Sequence, residues 1–303
     1  METRRLGRTG LEVTRLGFGL AEIERQERYG YGDASGSNRV LEEALDGGIT
    51  FLDTAACYAN TEELIGKTVA HRRDEYILAT KCGHVVEGTT GEPWNAATIE
   101  ESIDRSLRRM KTDHLDIVQP HSPDLDTLER GEIVEALVRA KMAGKTRFLG
   151  FSGDNEAARW AVNSGVFDTL QTTFNLVDQR ARDGLFVAAQ ARDIGIIVKR
   201  PLANGMWGKD RAAYAYAEQY LTRVREMARA GPVPGAPDDP ILLSMGFVFA
   251  HPEVDMALVG TNNLAHLRSN IKMVEMGLYI RAEAVDELHR RFDEVGSDWP
   301  QLL

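Results

Sequence analysis

The sequence predicts an α/β fold, a (β/α)8 TIM barrel with an N-terminal β-hairpin closing the bottom. Three observations predict it. Eight short apolar runs recur along the chain, each continuous rather than alternating, as expected of parallel strands buried on both faces. Amphipathic helical patterns separate them, the alternation that builds a parallel sheet. The chain has 303 residues, a size that suits one such barrel, and residues 1–303 are read as a single domain. An open doubly wound sheet is the competitor, and eight units favour closure.

The elements follow in order. TRRLGRTGLEVTRLG reads as a short hairpin with Thr9-Gly10 at its turn. Strands are expected at 16–20, 50–55, 76–81, 115–121, 146–152, 169–174, 196–200 and 256–261. A helix over 38–46 stops at Gly47-Gly48. Asn60 with Glu63, and Thr98 with Glu101, read as capping boxes that open two more. Further helical patterns cover 127–142, 155–163, 180–192, 241–250 and 263–275. Two connections are long, 82–95 and the Gly/Pro-rich, Tyr-bearing 203–239 with a helix inside it; long ordered barrel loops usually bind something.

Composition narrows the function. Lys plus Arg number 36 against 46 Asp plus Glu, a formal charge of −10 that argues against duplex nucleic acid or an anionic membrane as partner. No stretch approaches the roughly 18 apolar residues of a membrane span, and METRRLGRTG lacks the apolar core of a signal peptide. Two cysteines make no disulfide framework, so a reduced, cytoplasmic protein is expected.

Catalytic groups of such barrels sit at the C-terminal strand ends. Those ends carry Asp53, with Tyr58 just beyond, then Lys81 and His121. Singly, each has a plain structural reading: a helix cap, a rim residue, a snorkelling lysine, a packed turn. Together they make a proton-donor site. A free tyrosine, with pKa of about 10, is a poor acid near neutrality. A neighbouring ammonium favours the phenolate, and a carboxylate holds that ammonium in place. The tuned phenol can then protonate an oxygen as charge develops on it, while the histidine orients that oxygen by a hydrogen bond.

With these residues in view, the chain resembles the aldo-keto reductases over essentially its whole length. The matching stretches are RRLGRTGLEVTRLGFG, GITFLDTAACYANTEELIGK, LATKCG, SIDRSLRRMKTDHLDIVQPHSPD, GKTRFLGFS, LQTTFNLVDQ and ALVGTNNLAHLRSNI. The resemblance implies a tetrad of Asp53, Tyr58, Lys81 and His121, and reduction of aldehydes or ketones with NADPH. It also implies carboxamide contacts from Ser152 and Gln171, although Gly153 replaces the Asn that often follows that serine, with Asn155 nearby. Arg200 stands where many members stack an aromatic ring on the nicotinamide. Leu202, Asn204 and Gly205 fall where backbone amides meet the pyrophosphate. Gly260, Thr261 and Asn262 lead into a helix whose N-terminus suits an anion, with His266 and Asn270 following on that helix. Members specific for NADPH often carry Lys and Arg where this chain has Gly260 and His266, so the expectation is NADP(H) with NAD(H) also accepted, and Arg268 joining His266 at the 2′-phosphate.

Leu20, Trp94, Ser122 and Trp299 are the expected substrate wall, suiting a modest or polar carbonyl such as a sugar-derived or short-chain aldehyde. Cys57 and Cys82 read as small buried thiols pointing away from their catalytic neighbours. Two alternatives share the scaffold: an NAD(P)-dependent sugar or alcohol dehydrogenase, and a cofactor-sensing regulatory subunit similar to the potassium-channel β subunits. The sequence leaves oligomeric state open.

Overall fold

The computed structural model describes residues 1–23, 36–87 and 89–302. A two-stranded antiparallel hairpin, β1 (Thr3–Arg5) and β2 (Glu12–Thr14), precedes the barrel, with Arg5 opposite Glu12 and Thr3 opposite Thr14. The barrel strands are β3 (Leu16–Gly19), β4 (Phe51–Asp53), β5 (Ile77–Cys82), β6 (Leu115–Pro120), β7 (Thr146–Ser152), β8 (Thr169–Thr173), β9 (Gly195–Lys199) and β10 (Met256–Val259). All pair in parallel and close in the order β10-β3-β4-β5-β6-β7-β8-β9. No helix of the described residues is long and apolar enough to cross a membrane.

The hairpin seals the bottom because its apolar side chains continue the barrel interior. Leu6, Leu11 and Val13 pack with the inward-facing Phe51, Ala79, Ile117, Ile197, Met256 and Leu258. Gly7 makes the close approach possible: its φ is +47°, and a Cβ there would lie 2.1 Å from the Gly195 nitrogen. The expected turn at Thr9-Gly10 is a single 3-10 turn, Gly7–Thr9, ended by Gly10 in the left-handed conformation.

The helices are α1 (Ser37–Asp46), α2 (Thr61–Thr68), α3 (Ala96–Met110), α4 (Leu125–Glu129), α5 (Glu132–Met142), α6 (Asn155–Ser164), α7 (Leu185–Gln190), α8 (Ala215–Ala228), α9 (Pro240–Phe249), α10 (Leu264–Met276) and α11 (Ala282–Val295). The helix expected over 127–142 is two, broken where Gly131 takes φ +78°. That over 180–192 is a 3-10 turn and α7, broken at Gly184 with φ +88°. Neither capping box forms. Asn60 precedes α2 without a side-chain capping bond, and Glu63 pairs with Lys67 at 3.2 Å. Asn95 caps α3 by accepting from the Thr98 amide at 2.8 Å. Glu101 instead accepts from the Thr90 amide and hydroxyl, fastening the long connection after β5.

Residues 299–302 are tied into the barrel top. Gln301 exchanges hydrogen bonds with Asn155, and its Nε2 donates to the Thr173 carbonyl at 2.8 Å. The Leu302 amide donates to Asp178 Oδ2 at 3.0 Å. Burial pushes the Asp178 carboxyl up to about 7, against the pull of that amide and of Arg223. A carboxyl raised in the fold above its unfolded value of about 3.9 contributes stability that is lost as pH rises through the folded value. Asp178→Asn should therefore gain on the wild type by about 2–3 kcal/mol between pH 5 and pH 8. Urea unfolding at the two pH values measures it, and parallel profiles for the two proteins would contradict the assignment.

Candidate active site

The residues that end β4, β5 and β6 meet above the barrel core. Asp53, the last residue of β4, is buried, as is Lys81 on β5. Lys81 Nζ donates to Asp53 Oδ2 at 2.5 Å and to the Thr54 carbonyl at 2.9 Å. The other carboxylate oxygen accepts from Gln171 Nε2 at 2.8 Å and Gln119 Nε2 at 3.4 Å. Both oxygens of a buried carboxylate are thus satisfied, which is what keeps such a charge tolerable. Burial alone would lower the Lys81 pKa, but the charge of Asp53, then of Tyr58 and Cys57, outweighs it and holds the ammonium form.

Tyr58 lies in the short loop between β4 and α2, half-buried, with the Lys81 ammonium 5.2 Å from its ring centroid. The His121 ring stands edge-on to it, centroids 5.6 Å apart. His121 follows β6; its amide donates to the Cys82 carbonyl of β5 at 3.0 Å, and on the other side it forms a parallel bridge with Ser152 of β7. Burial, then the Lys81 charge, holds the His121 pKa well below its ordinary value, so the ring is neutral at physiological pH and retains one N–H to donate. The structure brings all four expected residues together.

They open onto a cleft of about 940 Å³. Tyr58, Asp53 and His121 line it, with Lys81 behind. So do all of the expected cofactor residues: Ser152, Gln171, Arg200, Leu202, Asn204, Gly205, Gly260, Thr261, Asn262, His266 and Asn270. Ser152 Oγ donates to Gln171 Oε1 at 3.0 Å, so these two and Asp53 form one chain of hydrogen bonds. Gly260 has a local reason: a Cβ there would lie 2.5 Å from the Gly19 carbonyl oxygen. Asn263 caps α10, accepting from the amides of Ala265 and His266.

Several expected residues have other partners or lie outside the cleft's lining. The Arg200 guanidinium lies over the Tyr216 ring, 5.1 Å from its centroid, and donates to Thr173 Oγ1 and the Leu302 carbonyl. Asn155 is engaged with Gln301 rather than replacing the asparagine absent at Gly153. Arg268 is paired with Glu43 of α1 at 2.7 and 2.9 Å. None of Leu20, Trp94, Ser122 and Trp299 lines the cleft. Leu20 is fully buried in the core. Trp299 packs edge-on to Phe292 beneath Arg223. Trp94 packs against His84, ring centroids 5.0 Å apart. The Ser122 amide is bound to the Ser152 carbonyl at 2.7 Å. Besides Tyr58, the cleft's aromatic lining comes from Trp207 and Tyr214, within the long connection after β9. Cys82 is buried, as expected, but Cys57 is only half-buried, and its Sγ lies 3.3 Å from His121 Nδ1.

Sequence reasoning missed Gln119, which reaches Asp53, and a second buried ion pair, Lys199 Nζ to Asp154 Oδ2 at 2.8 Å. Lys199 lines the cleft. Its signal was a lysine at the end of an otherwise apolar strand. Arg39 and Lys209, both exposed, also line the cleft.

Comparison with known proteins agrees with this architecture. The model of the aldo/keto reductase family matches residues 15–289. YqkF of Bacillus subtilis, named an uncharacterized oxidoreductase, is 27% identical over 292 residues, covering 90% of each chain. L-galactose dehydrogenase of Arabidopsis thaliana is 26% identical over 288 residues, covering 90% of this chain and 88% of the plant protein. The holo form of an aldo-keto reductase from Bacillus halodurans superposes with a TM-score of 0.78 at 26% identity, covering 96% of each chain.

Proposed function

Because this chain belongs to the aldo/keto reductase family and is an oxidoreductase of it, we propose that it reduces aldehydes or ketones to alcohols with NADP(H), Tyr58 serving as general acid. One observation carries the reading: a buried Lys81–Asp53 ion pair lies under a tyrosine and a neutral histidine at the wall of a large cleft. The cleft, about 940 Å³, is at the upper end of the range for ligand sites, and its amide-rich rim at α10 suits a phosphate group.

When bound, the nicotinamide supplies a hydride to the carbonyl carbon. This chain's residues manage the oxygen. His121 donates its remaining N–H to that oxygen and fixes its direction. Tyr58 gives up the phenolic proton as negative charge develops there, and Lys81 stabilises the phenolate left behind. Asp53 holds Lys81, and Gln171 with Gln119 holds Asp53. Ser152, Gln171, Arg200 and the segments 202–205 and 260–270 are the proposed cofactor contacts. Trp207 and Tyr214 are the proposed apolar wall for the substrate. Similarity to a sugar dehydrogenase makes sugar-derived aldehydes the first compounds to try. Steady-state loss of nicotinamide absorbance, over a panel of short and sugar-derived aldehydes with both cofactors, tests the proposal. Turnover of several aldehydes is expected; none with either cofactor would refute it.

Cofactor choice follows from the charges at the cleft. Arg268 is occupied by Glu43, and Gly260 offers no side chain, which leaves exposed His266, Arg39 and Lys209 as cations at the cleft. Each charge-assisted contact to a 2′-phosphate contributes roughly 1.5–3 kcal/mol. Both cofactors should bind, NADPH the more tightly, and His266→Ala should narrow the gap between them. Fluorescence titration of NADPH and NADH against wild type and His266→Ala measures it. A preference of about four orders of magnitude, unchanged in the variant, would assign the phosphate to other residues.

A further inference from the structure

Three loops, those following β4, β5 and β6, bring Cys57, His84 and His121 to one point. One ligand atom from each lies within 4.8 Å of the others. Cys57 Sγ and His121 Nδ1 are already 3.3 Å apart. Two ligands of a tetrahedral zinc, one sulfur and one imidazole nitrogen, stand about 3.5 Å apart given bonds of about 2.3 and 2.1 Å. That edge of the polyhedron is therefore nearly preformed. The His84 ring lies 5.2 Å from the His121 ring, centroid to centroid, and 5.0 Å from that of Trp94. It also hydrogen-bonds the His121 backbone, a contact of the kind that orients liganding imidazoles through their second nitrogen. His84 sits in the connection between β5 and α3, whose described residues form no helix or strand. A shift of about 1 Å toward the other two ligands completes a three-ligand site there.

We propose that Cys57, His84 and His121 bind Zn²⁺ and that the bound metal inhibits the enzyme. One thiolate and two imidazoles are a donor set suited to zinc and leave its fourth position for water or chloride. As the S–Zn bond forms, the thiol proton is released to solvent. The filled site ties the His121 ring to the metal and sets a metal-bound ligand beside Tyr58, whose ring is 5.6 Å from that of His121. Both obstruct receipt of a carbonyl oxygen. The effect on activity rests on the reductase reading above; the metal site itself does not.

The two are separated by experiment. Metal-free protein, kept reduced with a phosphine, is titrated with Co²⁺ while absorbance is followed. The expected result is one equivalent bound, with a thiolate-to-cobalt charge-transfer band and the visible bands of a tetrahedral ion, all bleached by Zn²⁺. Cys57→Ser should abolish the charge-transfer band, and His84→Ala should weaken cobalt binding at least tenfold. His289→Ala is the control and should change neither. It removes half of the other close imidazole pair among the described residues, His251 and His289, whose Nε2 atoms are 3.0 Å apart. In rate assays, Zn²⁺ should lower wild-type aldehyde reduction at least tenfold and reversibly on chelation, and Cys57→Ser should remain uninhibited at the same free zinc. A cobalt spectrum without the thiolate band, or one unchanged in Cys57→Ser, would overturn the site. Equal zinc inhibition of wild type and Cys57→Ser would overturn the inhibitory role. Absence of aldehyde turnover with the cobalt band intact would refute the reductase reading and leave the metal site standing.

Discussion

Tyr58→Phe is expected to keep the fold and NADPH affinity of the wild type while losing at least about a hundredfold in kcat for carbonyl reduction, the usual scale of a general acid's contribution. The substitution removes the phenolic oxygen and leaves the ring, so the edge-on contact with His121 survives. What is lost is the phenolic proton to which the proposed acid role is assigned, beside the Lys81 ammonium. The half-buried position of Tyr58 limits the stability cost. Thermal unfolding, NADPH titration and steady-state rates on one preparation separate these effects. More than about a tenth of wild-type activity in a folded, cofactor-binding variant would move the acid role elsewhere.

Lys81→Met should have a larger effect on the fold and an equally severe one on the rate. The pair with Asp53 is buried on both sides, at 2% and 6% side-chain exposure, so removing the ammonium strands a carboxylate out of water. Breaking a buried pair in this way costs about 3–5 kcal/mol. Adding Asp53→Asn removes the stranded charge and should recover much of the stability, because the two glutamine amides can still find an acceptor there. It should recover none of the activity, since no ammonium then faces Tyr58. Denaturant unfolding of the single and double variants, read beside their rates, distinguishes a structural ion pair from one that serves the phenol. A double variant that regains both stability and rate would reduce Lys81 to a structural role.

The barrel was legible because its signal is redundant: each of the eight strands is an apolar run, and each strand end lies on the same face. Asp53, Lys81 and His121 could be placed together from that rule alone. Helix ends were less legible. Gly131 and Gly184 break helices through positive φ, but a glycine inside an amphipathic pattern does not announce whether the chain turns there. The capping boxes failed for a similar reason, since Glu101 found partners in a loop distant along the chain. Trp94 and Trp299 lie outside the cleft's lining, held by local packing partners that no periodicity reveals. Asp154 and Lys199 meet across 44 intervening residues, and Arg268 finds Glu43 across most of the chain. Such pairings depend on tertiary geometry. They are also what narrows the set of cations available to a cofactor phosphate.

The Cys57 contact with His121 illustrates the same limit at the site itself. Alternation along an extended segment would turn neighbouring side chains to opposite faces, but β4 ends at Asp53 and residues 54–60 run as a turn. Freed from strand geometry, Cys57 and Tyr58 both approach His121, one through sulfur and one through its ring.

The central claim, that Tyr58 and its neighbours protonate an oxygen while hydride reaches the carbonyl carbon, is tested most directly by isotope transfer. The protein is given NADPH deuterated at the transferable position of the nicotinamide C4, with an aldehyde that is turned over, and the alcohol is analysed by mass spectrometry and NMR. The account predicts one deuterium on the former carbonyl carbon, none from deuterated solvent at that carbon, and label incorporation at least about a hundredfold slower in Tyr58→Phe. An alcohol without label at that carbon, or labelling as fast in Tyr58→Phe as in the wild type, would contradict it.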